Sequence, residues 1–453
     1  MEEPLNVLSP QLSTADAQLR RVIGPRTIAL NAMNLTIGSG IFALPAAVAA
    51  IVGPAAIYAY LICGAAITLV LLCFAELGST TSRSGGGYAY IHRAFGPFWA
   101  FLVSVLLWFA FGIVADAAVG AAMVDTIASA FPVFASPLAR ALFLIAFFAT
   151  VISVNIRGAK EGARMAVILT IVKLLPLAVF VIAALPSVTT LAITGGGLPN
   201  AANLGKASLL LFFAFAGAEA SLAPSAEVRN VRTDIPRGIM LGVLGIVLVY
   251  LCVHIAAQSV LGTQLAKEGS APLAAAAAVV LGPLGKTLLL AGGALSMAAL
   301  ISGDMLATPR TLFATAVDGQ LPAVLARVHP RFATPWIAIA LYGSMGCLLA
   351  MLGGFAPLAA LASAGLLLVY FAVCLAVLRE RTRRAHDADA GFKIPGGPIV
   401  PLLGMAMTAG LLFNAALSDW KALGGLMLVA SAYYAARRFT RRAPSIDSST
   451  SRT

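Results

Sequence analysis

The sequence predicts an all-α membrane protein of twelve transmembrane helices, arranged as a five-plus-five inverted repeat in which helices 1 and 6 are broken. Three observations carry that prediction: the composition, the spacing of apolar runs against basic loops, and two interruptions of matching character about 180 residues apart. Of 453 residues, 60% are hydrophobic and 11% charged, and the mean hydropathy is +0.94. Those values belong to a chain that crosses a bilayer repeatedly, not to a soluble core.

Apolar runs bounded by charged or Pro/Gly loops fall at roughly 25–51, 53–77, 97–131, 137–156, 163–186, 204–224, 236–261, 272–306, 334–353, 357–379, 397–417 and 421–437. Of the 30 Lys and Arg, 24 sit in the arm, tail and alternate loops of one side. The positive-inside rule then places both termini in the cytoplasm. The net charge of +12 is thereby explained as membrane topology, and no nucleic-acid partner is implied. Residues 1–24 are polar and lack an apolar h-region, so a cytoplasmic arm without a cleavable signal is expected. From Arg441 onward the chain is rich in Ser, Thr and Arg and is expected to be disordered. The organisation is therefore arm 1–24, core 25–379, cytoplasmic loop 380–396, spans 11 and 12 at 397–437, and tail 438–453.

Cys63, Cys73, Cys252, Cys347 and Cys374 all lie inside apolar runs, without metal spacing. No histidine pair, nucleophile elbow or phosphate-binding glycine loop is present. Neither an enzyme nor a cofactor or metal is expected.

Span 1 carries Gly38-Ser39-Gly40 at its middle. In a bilayer every backbone N–H and C=O needs a partner, so an opened turn is tolerable only where it lines a cavity or binds something. Such a turn bares N–H groups from a half-helix starting near Ile41 and carbonyls from one ending near Thr36, which suits a zwitterion. Alone, the triplet reads equally well as small residues for close helix packing. After span 2, which reaches Glu76 at the cytoplasmic face, Ser84-Gly85-Gly86-Gly87-Tyr88 reads as a glycine-rich turn or as a re-entrant piece helping to close an inner gate. Asp116 in span 3 is costly at that depth, and either faces a substrate or bonds a neighbouring helix. Lys173 in span 5 lies too far from both ends to snorkel, so it is paired, neutral or wetted, a gate-organising position.

Span 6 repeats the grammar of span 1. Phe212-Phe213-Ala214-Phe215-Ala216-Gly217-Ala218-Glu219 is an apolar run broken by small residues, with an acid at the break. Two interrupted helices, each opening a set of five spans, point to an inverted-repeat transporter with its site at mid-membrane. This pairing decides for a break at Gly38-Ser39-Gly40. In span 8, Asp304 is deep, and either attracts a cationic side chain or is a satisfied packing carboxylate. Spans 11 and 12 read as a packing or homodimer surface.

Gly38-Ser39-Gly40-Ile41-Phe42, Ala75-Glu76-Leu77 followed by Gly85-Gly86-Gly87-Tyr88, the Gly217-to-Glu219 break with Glu227-Val228-Arg229-Asn230, and Arg310 before Asp318-Gly319 resemble amino acid permeases of the amino acid–polyamine–organocation superfamily. The basic amino acid/polyamine antiporters are among them. The resemblance covers about residues 20–435 and implies a LeuT-like fold and amino acid transport across the plasma (inner) membrane. It implies that the substrate carboxylate sits on Ser39, Gly40 and Ile41, flanked by Ile37, Gly38 and Gly217. The ammonium would meet carbonyls of Thr36, Phe213 and Ala216, with Phe213 covering the substrate. Glu219 matches a glutamate proposed to sense protons in arginine/agmatine antiporters. Lys173 matches a lysine whose ammonium stands where sodium-coupled relatives bind sodium, which implies no sodium coupling. Glu76 and Arg310 are expected at the cytoplasmic gate. One departure stands out: the span-8 tryptophan that contacts arginine in those antiporters is Asp304 here.

The expected partners are thus an amino acid, protons and the lipid bilayer. Proton coupling or exchange is expected, with antiport of cationic amino acids or polyamines as the alternative. A non-transporting amino acid sensor is a distant third, having little need of two helix breaks. A channel lacks its ring of acids or repeated filter motif.

Overall fold

Small residues in the middle of an apolar span weaken a helix where its two halves can each find other partners, and both expected interruptions are real. The structure, a computed structural model, describes residues 23–80, 86–157, 162–222, 228–269, 271–317, 319–332, 334–383 and 392–442, with backbone alone for 162–172 and 438–442. The arm before Ile23, residues 384–391 of the expected cytoplasmic loop, the tail after Arg442, and Ser84, Gly85, Glu227 and Asp318 of the motifs lie outside them.

Span 1 is two helices, α1 (Pro25–Thr36) and α2 (Ser39–Val52), separated at Ile37 and Gly38. Then come α3 (Ala56–Ser79), the short amphipathic α4 (Gly86–Phe95), α5 (Pro97–Ala130), α6 (Pro137–Arg157), α7 (Gly162–Ala184) and a five-residue helix, α8 (Thr190–Thr194). Span 6 is α9 (Ala201–Phe215), a break at Ala216 and Gly217, and a 3-10 turn over Ala218–Leu222. The chain continues as α10 (Val231–Leu261), α11 (Pro272–Val317), α12 (Trp336–Leu352), α13 (Phe355–Arg383), α14 (Ile399–Leu412) and α15 (Leu417–Arg442). Apart from one parallel bridge, Ile23 to Val228, the described residues are helix, turn and loop.

Each of the twelve expected spans coincides with helix. By length and apolarity, seven helical stretches cross a membrane unaided, with an eighth if the pair at 399–412 and 417–437, bent by 114°, is one span. That makes the chain an integral membrane protein.

The packing has a pattern. The α1 half-helix lies against the Ala218–Leu222 turn and α2 against α9, so the two broken spans cross halves. Further on, α3 packs on α10, α5 on α11 and α6 on α12. Each of spans 1 to 4 therefore touches the span five places later.

Two elements differ from the sequence reading. Span 3 contains a π-helical stretch, Leu106–Ile113, with an i→i+5 ladder that nothing in the apolar pattern announces. Span 8 was expected to end at 306 but runs to Val317, and within it a non-helical Gly282 (φ 68°, ψ −161°) bends the chain before Pro283. It passes Pro309 because of its neighbour. Proline lacks the N–H that would bond the Met305 carbonyl, and Arg310 Nη1 donates to that carbonyl at 3.3 Å and to the Leu306 carbonyl as well.

Candidate functional site

A break in a membrane helix leaves its last carbonyls and first N–H groups without intrahelical partners. At the end of α1, most of those carbonyls are met from other elements. Lys173 Nζ donates to the Asn34 carbonyl at 3.2 Å, the Tyr250 hydroxyl to that of Thr36 at 3.0 Å, and Ser296 Oγ to that of Ile37 at 3.4 Å. The opposite terminus is treated differently. No side chain caps α2, whose first N–H groups belong to Ser39, Gly40 and Ile41. They carry the positive end of the helix dipole into the break, where an anion gains about 0.3–1 kcal/mol, more when partly buried.

Close approach of the two broken spans depends on two glycines. A Cβ on Gly40 would lie 2.6 Å from the Ala214 Cα, so only glycine lets α2 meet α9 at that depth. Gly217 has φ 110°, and a Cβ there would lie 2.6 Å from the Leu35 carbonyl oxygen. Its N–H donates to Glu219 Oε2 at 3.1 Å, and the Tyr370 hydroxyl of α13 donates to the same oxygen at 2.5 Å. Tyr370 packs edge-on against Phe74 and Phe212, so the Glu219 carboxylate sits in an aromatic pocket with two donors.

Beside the breaks is a cavity of about 280 Å3. Of the residues expected at the site, Thr36, Gly38, Ser39, Gly40, Phe213, Ala216, Gly217, Glu219 and Asp304 line it. Ile37 and Ile41 turn their side chains into the core at 1% exposure and can offer only backbone. Ser39 Oγ and Thr36 Oγ1, both buried, have no hydrogen-bond partner among the described residues.

Asp116 and Lys173 stand behind the wall. Asp304 lies within electrostatic reach of both and of Glu219. Asp116 is fully buried beside Asp304 and Tyr342, and neither of its oxygens finds a partner in good hydrogen-bonding geometry among the described residues. It lies three residues past the π stretch, between Ala115 and Val119, which do line the cavity.

The structure does not bring Glu76 and Arg310 together. Glu76 accepts from Arg381 Nε at 2.6 Å, Arg381 Nη2 at 2.5 Å and the Ile394 N–H at 2.8 Å, while Arg310 turns back onto its own helix.

Residues the sequence reading did not place complete the wall. Trp108, Phe111 and Gly112 come from the π stretch and Leu300, Thr308 and Thr311 from α11; Gly86, Gly87 and Tyr88, of the glycine-rich segment read as a turn or gate piece, join them from α4. An aromatic run ending in glycine is the one signal that could have found the first group. Together these parts form an apolar chamber with an anion-attracting helix end, carbonyls, and carboxylates on two sides.

Comparison with known proteins agrees with this arrangement. The family model described as amino acid permease matches residues 23–435. The chain is 27% identical to the serine/threonine exchanger SteT of Bacillus subtilis, over 92% of this chain and 96% of that one. It is 26% identical to the branched-chain amino acid permease BcaP of the same organism, over 89% and 90% of the two chains. It is also 26% identical to mouse cationic amino acid transporter 4, over 87% of this chain and 65% of the relative. With its broken helices, enclosed chamber and match over nearly its whole length, the chain belongs to the amino acid permease family, whose members are membrane transporters and not enzymes.

Proposed function

We propose that this protein is a secondary active transporter of amino acids, twelve spans in a five-plus-five inverted repeat, working by alternating access across the plasma (inner) membrane with both termini cytoplasmic. One observation carries the reading: two discontinuous helices face a single chamber, one offering uncapped N–H groups at Ser39, Gly40 and Ile41, both offering carbonyls at their ends. An α-amino acid presents the complementary pair of charges. The contacts between spans 1 and 6, 2 and 7, 3 and 8, and 4 and 9 support the repeat, and the relatives named above support the substrate class.

Glu219 is the coupling residue in this account. It lies at the break, donors reach it from Tyr370 and Gly217, and a proton gained or lost there changes both bonds. The bond from the Lys173 ammonium to the Asn34 carbonyl supports coupling without sodium. The test is uptake of labelled amino acids into proteoliposomes across pH. Glu219→Gln keeps one acceptor oxygen but fixes a neutral side chain, so uptake should persist with its pH dependence flattened. An unaltered pH profile would remove the proton role.

Asp304 favours a cationic side chain within this class. It lines the chamber, where its carboxyl can meet an ammonium or guanidinium on the substrate side chain. Asp304→Asn should cut uptake of lysine or arginine by at least about tenfold, the scale of one lost charge pair, and spare neutral amino acids. Equal uptake of both kinds by this variant would end the cationic reading.

A further inference from the structure

Tyr250, on α10, is absent from the cavity wall, and its bond to the Thr36 carbonyl is half of what its hydroxyl does. It is fully buried, and its ring is held edge-on by Phe215 at 4.9 Å between centroids. Its hydroxyl lies 2.7 Å from the Ala214 carbonyl and 3.0 Å from the Thr36 carbonyl. Those two oxygens have the same history. Four residues after Thr36 comes Gly40, beyond the first break; four residues after Ala214 comes Ala218, beyond the second. Each is a helix-end carbonyl whose intrahelical donor has been taken away.

In the bilayer such an orphan is expensive. One O–H shared between both meets two needs and fixes a distance: the last turn of α1 and the last turn of α9 are tied to one atom of α10. Lys173 and Ser296 bond backbone of the first broken span, whereas the Tyr250 hydroxyl reaches backbone of both. A carbonyl oxygen has two lone pairs, so the Thr36 oxygen, the more distant of the two acceptors, keeps one for an incoming ammonium.

We propose that Tyr250 is a positioning residue for substrate, setting the mutual geometry of the two breaks through a hydroxyl shared between Thr36 and Ala214. This rests on the reading of the chamber as the amino acid site. It acts on the head-group end of the ligand, so its effect is the same whichever side chain the amino acid carries.

Tyr250→Phe removes the hydroxyl and keeps the packed ring. Tyr60→Phe is the control, because the Tyr60 hydroxyl, also buried and stacked near α10 on His254, bonds nothing among the described residues. In proteoliposomes the expected result for Tyr250→Phe is a KM raised about tenfold for neutral and cationic amino acids alike, with kcat within about twofold, as for a lost ground-state contact. Amide hydrogen exchange should quicken in both 33–41 and 212–219, and Tyr60→Phe should do neither. An unchanged KM, exchange quickened at one break alone, or the same response from Tyr60→Phe would overturn the proposal. If wild-type protein moves no amino acid, the transporter reading fails and the exchange measurement still decides on Tyr250. Should Tyr250→Phe not fold, 3-fluorotyrosine at 250 gives a stronger donor of nearly the same shape: a lower KM supports the shared bond and an unchanged KM overturns it.

Discussion

Gly217→Ala is expected to abolish amino acid uptake while the protein still inserts in the membrane. The backbone there has φ 110°, a conformation that L side chains rarely adopt, at a cost of about 1–3 kcal/mol. A methyl group would also lie 2.6 Å from the Leu35 carbonyl oxygen and 3.1 Å from its carbon. Both are backbone atoms at the end of α1, so relief requires moving the half-helix whose carbonyls face the chamber. A shift of an ångström there removes the geometry a bound head group needs. We expect kcat/KM to fall at least about 100-fold, close to 3 kcal/mol. Gly410→Ala on α14 is the contrasting case, since nothing lies within 4 Å of its added Cβ and a helical alanine is the better residue. Uptake by Gly217→Ala at the wild-type rate would show that the close crossing of the broken spans is not required.

The second large effect is on stability. Glu76→Ala should lower the melting temperature markedly, by an amount reflecting about 2–3 kcal/mol. The resemblance sets Glu76 at the gate, and in the structure its bonds also join three elements. The Glu76 carboxylate, 8% exposed, takes both arms of the Arg381 guanidinium and the Ile394 N–H, and Arg381 also reaches the Gly397 carbonyl. Thus α3, the end of α13 and the segment entering α14 are joined at one carboxylate. A neighbouring pair, Arg93 to Glu380 at 3.1 Å, ties α4 to the same end of α13. Losing Glu76 strands a largely buried arginine, which costs more than the pair itself contributes, though one-fifth exposure of Arg381 lets water offset part of it. In a double-mutant cycle with Arg381→Ala the coupling should be about 2 kcal/mol. A melting temperature unchanged by Glu76→Ala, with altered transport rate, would favour the gate.

What the sequence disclosed, and what it did not, divides along physical lines. The breaks were legible because small residues amid apolar runs are a local anomaly with one good explanation once it occurs twice. Thr36 to Gly40 and Phe213 to Glu219 accordingly surround one cavity. The π stretch was not legible, because Leu106–Ile113 is apolar on all sides and its hydrogen-bond register leaves no compositional trace. Trp108 and Phe111 of that stretch line the chamber, whereas Asp116 just after it does not. Arg310, which the resemblance sets at the gate, bonds carbonyls of its own helix, one of them the carbonyl for which Pro309 has no donor, and no local pattern announces that bond. Tyr250 and Arg381 are long-range partners of Thr36 and Glu76, and no local pattern links positions so far apart in the chain.

The central claim is that the uncapped start of α2 and the carbonyl ends of α1 and α9 hold the two charges of an α-amino acid. The direct measurement is competition for binding to purified protein, with amino acids set against analogues that lack only the carboxylate or only the amine. The account expects intact amino acids to compete and both truncated series to fail by at least about 100-fold, since each forfeits a charge-assisted set of bonds. Equal competition by either truncated series, or none by any amino acid, would contradict it.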